Sequence, residues 1–306
     1  MKVAIIGRTE ILYESAEIIS RSGYDIVSIF TSKEAPEYTR RVADFQTLAT
    51  SLNVPFGVSS KIVNHLDLLK NAKADIAISI NYTGIIPQEI INIYPLGILN
   101  LHGGDLPRYR GNACQAWAIL NGESRIGLCV HKMIGGELDS GDIITREYLA
   151  IDENTKITAV LEWVKKRGPV LFLNALKLLE NDPNYILEEQ SKDSHLSLRC
   201  YPRLPEDGRI SWNLPAINIL RLINATNKPY PGAFCAYEGQ KLIIWDASIV
   251  EYSHNICAIP GQVLMIADEY VDIACGTGVL RVLCVEYCQS VMPPTAIIKS
   301  IRKRLS

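Results

Sequence analysis

Val3-Ala4-Ile5-Ile6-Gly7, answered in kind by Asp25-Ile26-Val27-Ser28-Ile29-Phe30 and Asp75-Ile76-Ala77-Ile78-Ser79-Ile80, decides the fold class. Each is a short apolar run rich in β-branched residues, the composition of a strand buried on both faces of a parallel sheet. Between the runs the spacing changes. Ile11, Leu12, Ala16, Ile18 and Ile19 recur at helical intervals across residues 9–22, and Gly23 supplies a stop. Residues 38–52 and 62–69 read as two further helices, with a short strand at 54–58 between them. Strands alternating with helices predict an α/β domain whose mostly parallel sheet carries helices on both faces.

The pattern continues outward. Pro87 can open a short helix because its missing N–H is no loss there. Strands are predicted at 97–102, 126–133 and 143–151, and a long helix with an acidic start at 155–179. From about residue 181 the chain turns polar, and Pro183, Pro202 and Pro205 mark a connection. Beyond it, one helix at 215–224 precedes strand-like runs at 232–237, 241–250, 261–267, 270–274 and 280–287, which predict a small antiparallel barrel or sandwich. The division expected is a catalytic domain over 1–185, a linker over 186–206 and a β-rich domain over 207–306.

Charge narrows the function. A net charge of -2 gives no overall pull toward nucleic acid or an anionic membrane, so neither is expected as a partner. The run at residues 3–6 is too short for a signal-peptide core, and a cytoplasmic location is expected. The eight cysteines are scattered, several inside apolar runs, with no Cys-x-x-Cys pair. They read as buried free thiols in a reducing compartment, and no metal site is expected. After the first strand comes Gly7-Arg8-Thr9-Glu10-Ile11, without the spaced glycines that cradle a pyrophosphate. This argues against hydride transfer, and the Walker pattern is missing too, so neither common phosphate loop is available.

The chemistry concentrates at Asn100-Leu101-His102-Gly103-Gly104-Asp105-Leu106-Pro107-Arg108-Tyr109-Arg110-Gly111. Strand alternation puts Asn100 and His102 on one side of a strand, at the end where open α/β sheets bind ligands. Taken alone the pair equally suits a core amide and a core histidine satisfied by backbone. Asp139 alone better suits a solvated turn carboxylate beside Glu137 and Asp142.

Asn100-x-His102, the loop ending Leu106-Pro107-Arg108-Tyr109-Arg110-Gly111, and Asp139-Ser140-Gly141-Asp142-Ile143 together resemble the formyltransferases that use 10-formyltetrahydrofolate. That family's signature is Asn-x-His, then Leu-Pro-x-x-Arg-Gly, then Asp-x-Gly-x-Ile, in this order. The stretch Lys228-Pro229-Tyr230-Pro231-Gly232-Ala233-Phe234 is similar to a motif in the C-terminal domain of sugar N-formyltransferases, among them those acting on aminoarabinose for lipid A. The resemblance implies a Rossmann-like catalytic domain followed by an OB-like barrel. One departure is Gly104-Asp105 where the family usually has Ser-Leu.

What the resemblance implies for the site is specific. Asn100 donates to the developing oxyanion, His102 relays the amine's proton, and Asp139 orients the imidazole. Tyr82, Ile85, Ile86, Gly136 and Leu138 are the matches for folate-binding loops. Arg8, Asp105, Arg108 and Arg110 are candidate contacts for the acceptor, although Arg110 better suits bracing of its own loop against backbone carbonyls. The formyl donor implied is 10-formyltetrahydrofolate, and the acceptor a nucleotide-linked amino sugar destined for a surface glycan such as lipopolysaccharide, in an enzyme that a homodimer would suit. Methionyl-tRNA formyltransferase is the main alternative, but it carries a basic insertion after the second strand, where this chain has only Thr31-Ser32-Lys33-Glu34-Ala35-Pro36-Glu37. A formyltetrahydrofolate hydrolase and an inactive folate- or sugar-binding homologue complete the alternatives.

Overall fold

The computed structural model describes residues 1–36 and 38–306. The elements in order are β1 (Lys2–Gly7), α1 (Glu10–Arg21), β2 (Asp25–Thr31), α2 (Val42–Leu52), β3 (Phe56–Val58), α3 (Leu66–Asn71), β4 (Ile76–Ile80), α4 (Gln88–Ile91) and β5 (Ile98–His102). There follow β6 (Tyr109–Gly111), α5 (Cys114–Leu120), β7 (Arg125–Lys132), β8 (Ile143–Ala150), α6 (Ile157–Asn181) and β9 (Leu198–Cys200). The remainder is α7 (Ala216–Ala225), β10 (Ala233–Tyr237), β11 (Gln240–Val250), β12 (Val263–Ile266), β13 (Val271–Ala274), β14 (Val279–Tyr287) and β15 (Ser290–Met292).

Contacts divide the chain into two compact units, the first made of residues 1–111, 127–149 and 162–200, the second of residues 112–126, 150–161 and 201–306. The first unit holds a seven-stranded sheet in the order β3-β2-β1-β4-β5-β7-β8. The pairs from β3 through to β5 are parallel, and β7 runs antiparallel to β5. Every residue of β4 is buried, as is β1 after Lys2, which is why these strands show no polar alternation. One core cluster of this unit joins Ile6, Phe30, Ile62, Leu69, Ile90 and Ile98.

Three features differ from the sequence reading, each for a local reason. The helix expected from residue 38 starts at Val42, after Arg41, whose N–H is taken by the Asp44 carboxylate. The helix expected over 62–69 is split into a 3-10 turn at Ile62–His65 and α3. The third is α5, a short helix that follows directly on the loop after β6 and packs on α7 in the second unit. Glu37, part of the stretch contrasted with the tRNA enzymes, lies outside the described residues.

The second unit is built on an antiparallel sheet in the order β10-β11-β14-β13-β12, with β15 on β14. Here alternation is visible: in β10, Ala233, Cys235 and Tyr237 are buried while Phe234 and Ala236 are partly exposed. Its core joins Trp212, Ile219 and Ile223 to Leu242, Ile244, Val263, Val282 and Val285. Residues 304–306 lie between the sheet's two ends. Ser306 exchanges backbone hydrogen bonds with Ala236 of β10, and the Leu305 N–H donates to the Gly261 carbonyl just before β12. Asp272, fully buried, is held by two hydrogen bonds from the Arg281 guanidinium and one from the Tyr252 hydroxyl, so a buried charge is fully partnered.

Candidate active site

The cluster sits where β5 ends. Asn100 and His102 project to one face, and the antiparallel register places His131 of β7 directly opposite Asn100, and Cys129 opposite His102. Asp139 arrives from the loop between β7 and β8. Its Oδ2 lies 3.5 Å from His102 Nδ1, and its Oδ1 lies 3.5 Å from His131 Nε2. Asn100 Nδ2 is 3.2 Å from His131 Nε2. His102 and His131 are 7% and 2% exposed, so the imidazoles are shielded while Asn100 keeps partial access to solvent.

The loop geometry that delivers Asp139 is visible in its residues. Asp139 adopts φ 48, a left-handed conformation that Asp tolerates better than most residues. At Gly141 a Cβ would stand 1.9 Å from the Lys132 carbonyl oxygen, so only glycine lets this loop press against the end of β7. The Gly111 N–H donates to Asp139 Oδ2 at 2.9 Å, tying the carboxylate to β6. The Asp-x-Gly and Arg-Gly parts of the motif therefore meet in space.

His102 has a defined tautomer. Its Nε2 lies 2.7 Å from the Tyr109 carbonyl oxygen, which can only accept, so Nε2 carries the hydrogen and Nδ1 the lone pair of the neutral ring. The basic nitrogen is thus the one nearest Asp139. Burial pushes the His102 pKa below its ordinary value, against the opposing pull of Asp139, which favours the charged ring; the net effect favours the neutral one. Burial would raise the Asp139 carboxyl, but the attraction of His102, the His131 ring and the Gly111 N–H outweigh it and hold the group well below the usual carboxylate range.

Gly104 explains how the loop closes over His102. A Cβ at this position would meet the Tyr109 oxygen at 2.4 Å and His102 Nε2 at 2.5 Å, so the serine usual in the formyltransferase signature does not fit this path. The loop is further anchored by Leu106, which packs with Cys129 and Ile143, and by Arg146, which donates to the Leu106 carbonyl at 2.7 Å while pairing with Glu188.

The other residues singled out from sequence fall into three groups. Ile85, 84% exposed, and Leu138, 39% exposed, lie on neighbouring loops, joined where the Gly135 N–H donates to the Gln88 side chain at 2.8 Å. Gly136, on the same loop as Leu138, faces open space, and a Cβ there would meet nothing within 4 Å. Ile86 and Tyr82 instead pack in the core, and the Tyr82 hydroxyl donates to the Ser59 carbonyl. Arg110 braces rather than reaches out: it donates to Gln190 at 2.9 Å and to the Ser191 carbonyl at 3.3 Å. Arg8 donates to the carbonyls of Asn81 and Lys33, whereas Arg108 is exposed and Asp105 half-buried.

Three contributors escaped sequence reasoning. His131 sits inside an ordinary-looking strand, and only the pairing of β5 with β7 reveals it. Arg146 has no local signal at all. Gln190 lies in the stretch read as linker, yet it is buried and its amide donates to the carbonyls of Asp139 and Gly141 at 3.0 and 2.6 Å. Residues 186–200, mostly exposed apart from Gln190 and Cys200, belong to the first compact unit.

Fold and site together define an α/β protein whose sheet ends in an amide, imidazole and carboxylate cluster, with an antiparallel β unit following it. The family model "Formyl transferase" matches residues 1–176, and "Formyl transferase, C-terminal domain" matches residues 204–302. The chain belongs to the formyl transferase family. Among solved structures it is similar to an N-formyltransferase from Helicobacter canadensis in complex with folinic acid and dTDP-3-aminofucose, at 18% identity and TM-score 0.69, over 92% of this chain and 98% of that one. It is also similar to WlaRD, a sugar 3N-formyl transferase solved with dTDP and 5-N-formyl-THF, at 18% identity and TM-score 0.66, over 95% and 98% of the two chains. HypX from Aquifex aeolicus matches over 98% of this chain at 18% identity and TM-score 0.62, but over 49% of its own length, so the chain spans about half of that protein. At these identities the likeness is one of fold. Among the described residues no group of three or more His, Cys, Asp or Glu is arranged to hold a metal ion, and no helix is long and apolar enough to cross a membrane.

Proposed function

We propose that this protein transfers the formyl group of 10-formyltetrahydrofolate to the amine of a nucleotide-linked amino sugar, in the synthesis of a surface glycan. The observation that carries the reading is the convergence of Asn100, His102 and Asp139 in one polar cluster around His131 at the end of β5. The exposed apolar side chains of Ile85 and Leu138 on the two adjoining loops suit a flat heterocycle such as a pterin. The donor supplies an activated carbonyl carbon. Asn100 offers an amide hydrogen to its oxygen as negative charge develops there, a contact whose loss at comparable sites costs about 3 to 4 kcal/mol. His102, through Nδ1, takes the proton that the attacking amine sheds and returns it to the leaving nitrogen. Asp139 matches the charge on the ring while it holds that proton. Two of the similar structures, each matched over nearly its full length, carry dTDP or a dTDP-amino sugar, which favours a nucleotide-linked acceptor.

The test is formylation of a panel of nucleotide-linked amino sugars by purified protein, beginning with dTDP-3-aminofucose. We expect turnover of at least one panel member, abolished by His102→Asn in protein that retains its circular dichroism spectrum. Formylation of charged initiator tRNA alone would mark the tRNA reading as correct, and donor hydrolysis without any acceptor would mark the hydrolase reading. Full activity of the His102 variant would overturn the mechanism.

A further inference from the structure

We infer that His131 is a positioning residue that fixes which end of the Asn100 side chain faces the reacting carbonyl. This rests on the proposed role of Asn100. The His131 ring is held at both nitrogens: Nδ1 lies 2.8 Å from the Lys132 carbonyl oxygen, and Nε2 lies 3.2 Å from Asn100 Nδ2. A carbonyl oxygen only accepts, so Nδ1 must carry the hydrogen of the neutral ring. Nε2 is then a lone-pair acceptor. An acceptor facing Asn100 requires the NH2 end of that amide, since its oxygen would place two lone pairs against each other.

The consequence reaches the substrate side. One Asn100 amide hydrogen is committed to His131, and the second, fixed in the same plane, is left to point away from β7 for an incoming oxygen. Asp139 Oδ1 lies 3.5 Å from Nε2, farther than Asn100 Nδ2 at 3.2 Å, so in the neutral ring Asn100 is the nearer partner, whereas a ring carrying a second hydrogen on Nε2 would turn to Asp139. His131 is 2% exposed and cross-strand paired with Asn100, so the ring itself holds the amide. Without the imidazole, Asn100 is free to rotate its oxygen toward the substrate carbonyl, and a donor becomes a repelling acceptor.

Two measurements test this. In histidine-labelled whole protein, long-range 1H–15N correlation spectra report the tautomer directly, with His131 assigned by its disappearance in His131→Gln. A protonated Nδ1 and a bare Nε2 are expected; a hydrogen on Nε2 would overturn the inference, whatever acceptor the enzyme uses. With dTDP-3-aminofucose or the best panel acceptor, His131→Leu should lower kcat about tenfold to a hundredfold with little change in KM for the donor. His131→Gln, whose side-chain oxygen can reach the same place and accept from Asn100, should recover most of that loss. In an Asn100→Ala background His131→Leu should cost nothing further. Equal losses in both backgrounds, or Gln no better than Leu, refute the positioning role. If His131→Leu does not fold, His131→Met replaces it. An active Asn100→Ala enzyme would instead refute the proposed function, so the two failures are separable.

Discussion

Asp139 lies between two imidazoles, 3.5 Å from each, and its effect on His102 has a sign that can be measured. His102 is drawn down by burial and raised by Asp139, while the nearby His131 and Arg110 both lower it. Replacing the carboxylate in Asp139→Asn removes the raising influence, so the pKa of His102 falls further. In the proposed mechanism the active form is the neutral ring, present above that pKa. The acid limb of the kcat/KM profile should therefore move to lower pH in Asp139→Asn, while kcat falls about a hundredfold because the protonated ring loses its counter-charge. An acid limb that stays in place or moves up contradicts the assignment of His102 as the titrating base. At this scale the sequence disclosed Asn100, His102 and Asp139 through their motifs. It did not disclose His131, because a histidine between Val130 and Lys132 has no feature that separates it from any other strand residue.

Elements deliver these side chains with little slack. The loop between β7 and β8 is shaped by Gly141 against the Lys132 carbonyl and by Gln190, whose amide hydrogens reach the carbonyls on either side of Ser140. Gly141→Ala must push the loop away from β7, since its Cβ would fall 1.9 Å from backbone oxygen that cannot rotate aside. We expect a loss of about a hundredfold in kcat if Asp139 acts as proposed, in line with displacement of such a group by an ångström, with a thermal midpoint lowered by several degrees. Unchanged kcat would show that the Asp139 position tolerates a relaxed loop. The strands themselves were legible: β1, β2, β4 and β5 fall where apolar runs occur. The short pair β6 and β9 was not, because three-residue strands formed between distant segments have no period to detect.

For the whole molecule, the balance of 31 basic against 33 acidic side chains bears on the acceptor. A tRNA acceptor would be gripped through its phosphates and would show steep salt dependence. We predict no saturable binding of initiator tRNA at physiological salt in a filter assay, and sugar formylation that changes little between low and moderate salt. Saturable tRNA binding would move the acceptor class. The division into two compact units also emerges only here, since residues 112–126 and 150–161 return to the second unit although they are flanked in sequence by the first. No composition shift marks those excursions; α5, for one, packs on α7 about a hundred residues further along the chain.

The amino-acid sequence by itself determined the α/β class, the antiparallel second half and the three residues proposed for catalysis, because period, turn chemistry and a spaced motif are all local properties. Tertiary structure alone decided the rest. It gave His102 its tautomer through Tyr109, placed His131 behind Asn100 through the β5 to β7 register, and turned Gln190 from a connecting residue into the brace of the Asp139 loop. Each of these depends on a contact between residues far apart in the chain or on the direction of one hydrogen bond, and neither is written in the order of residues along a single element.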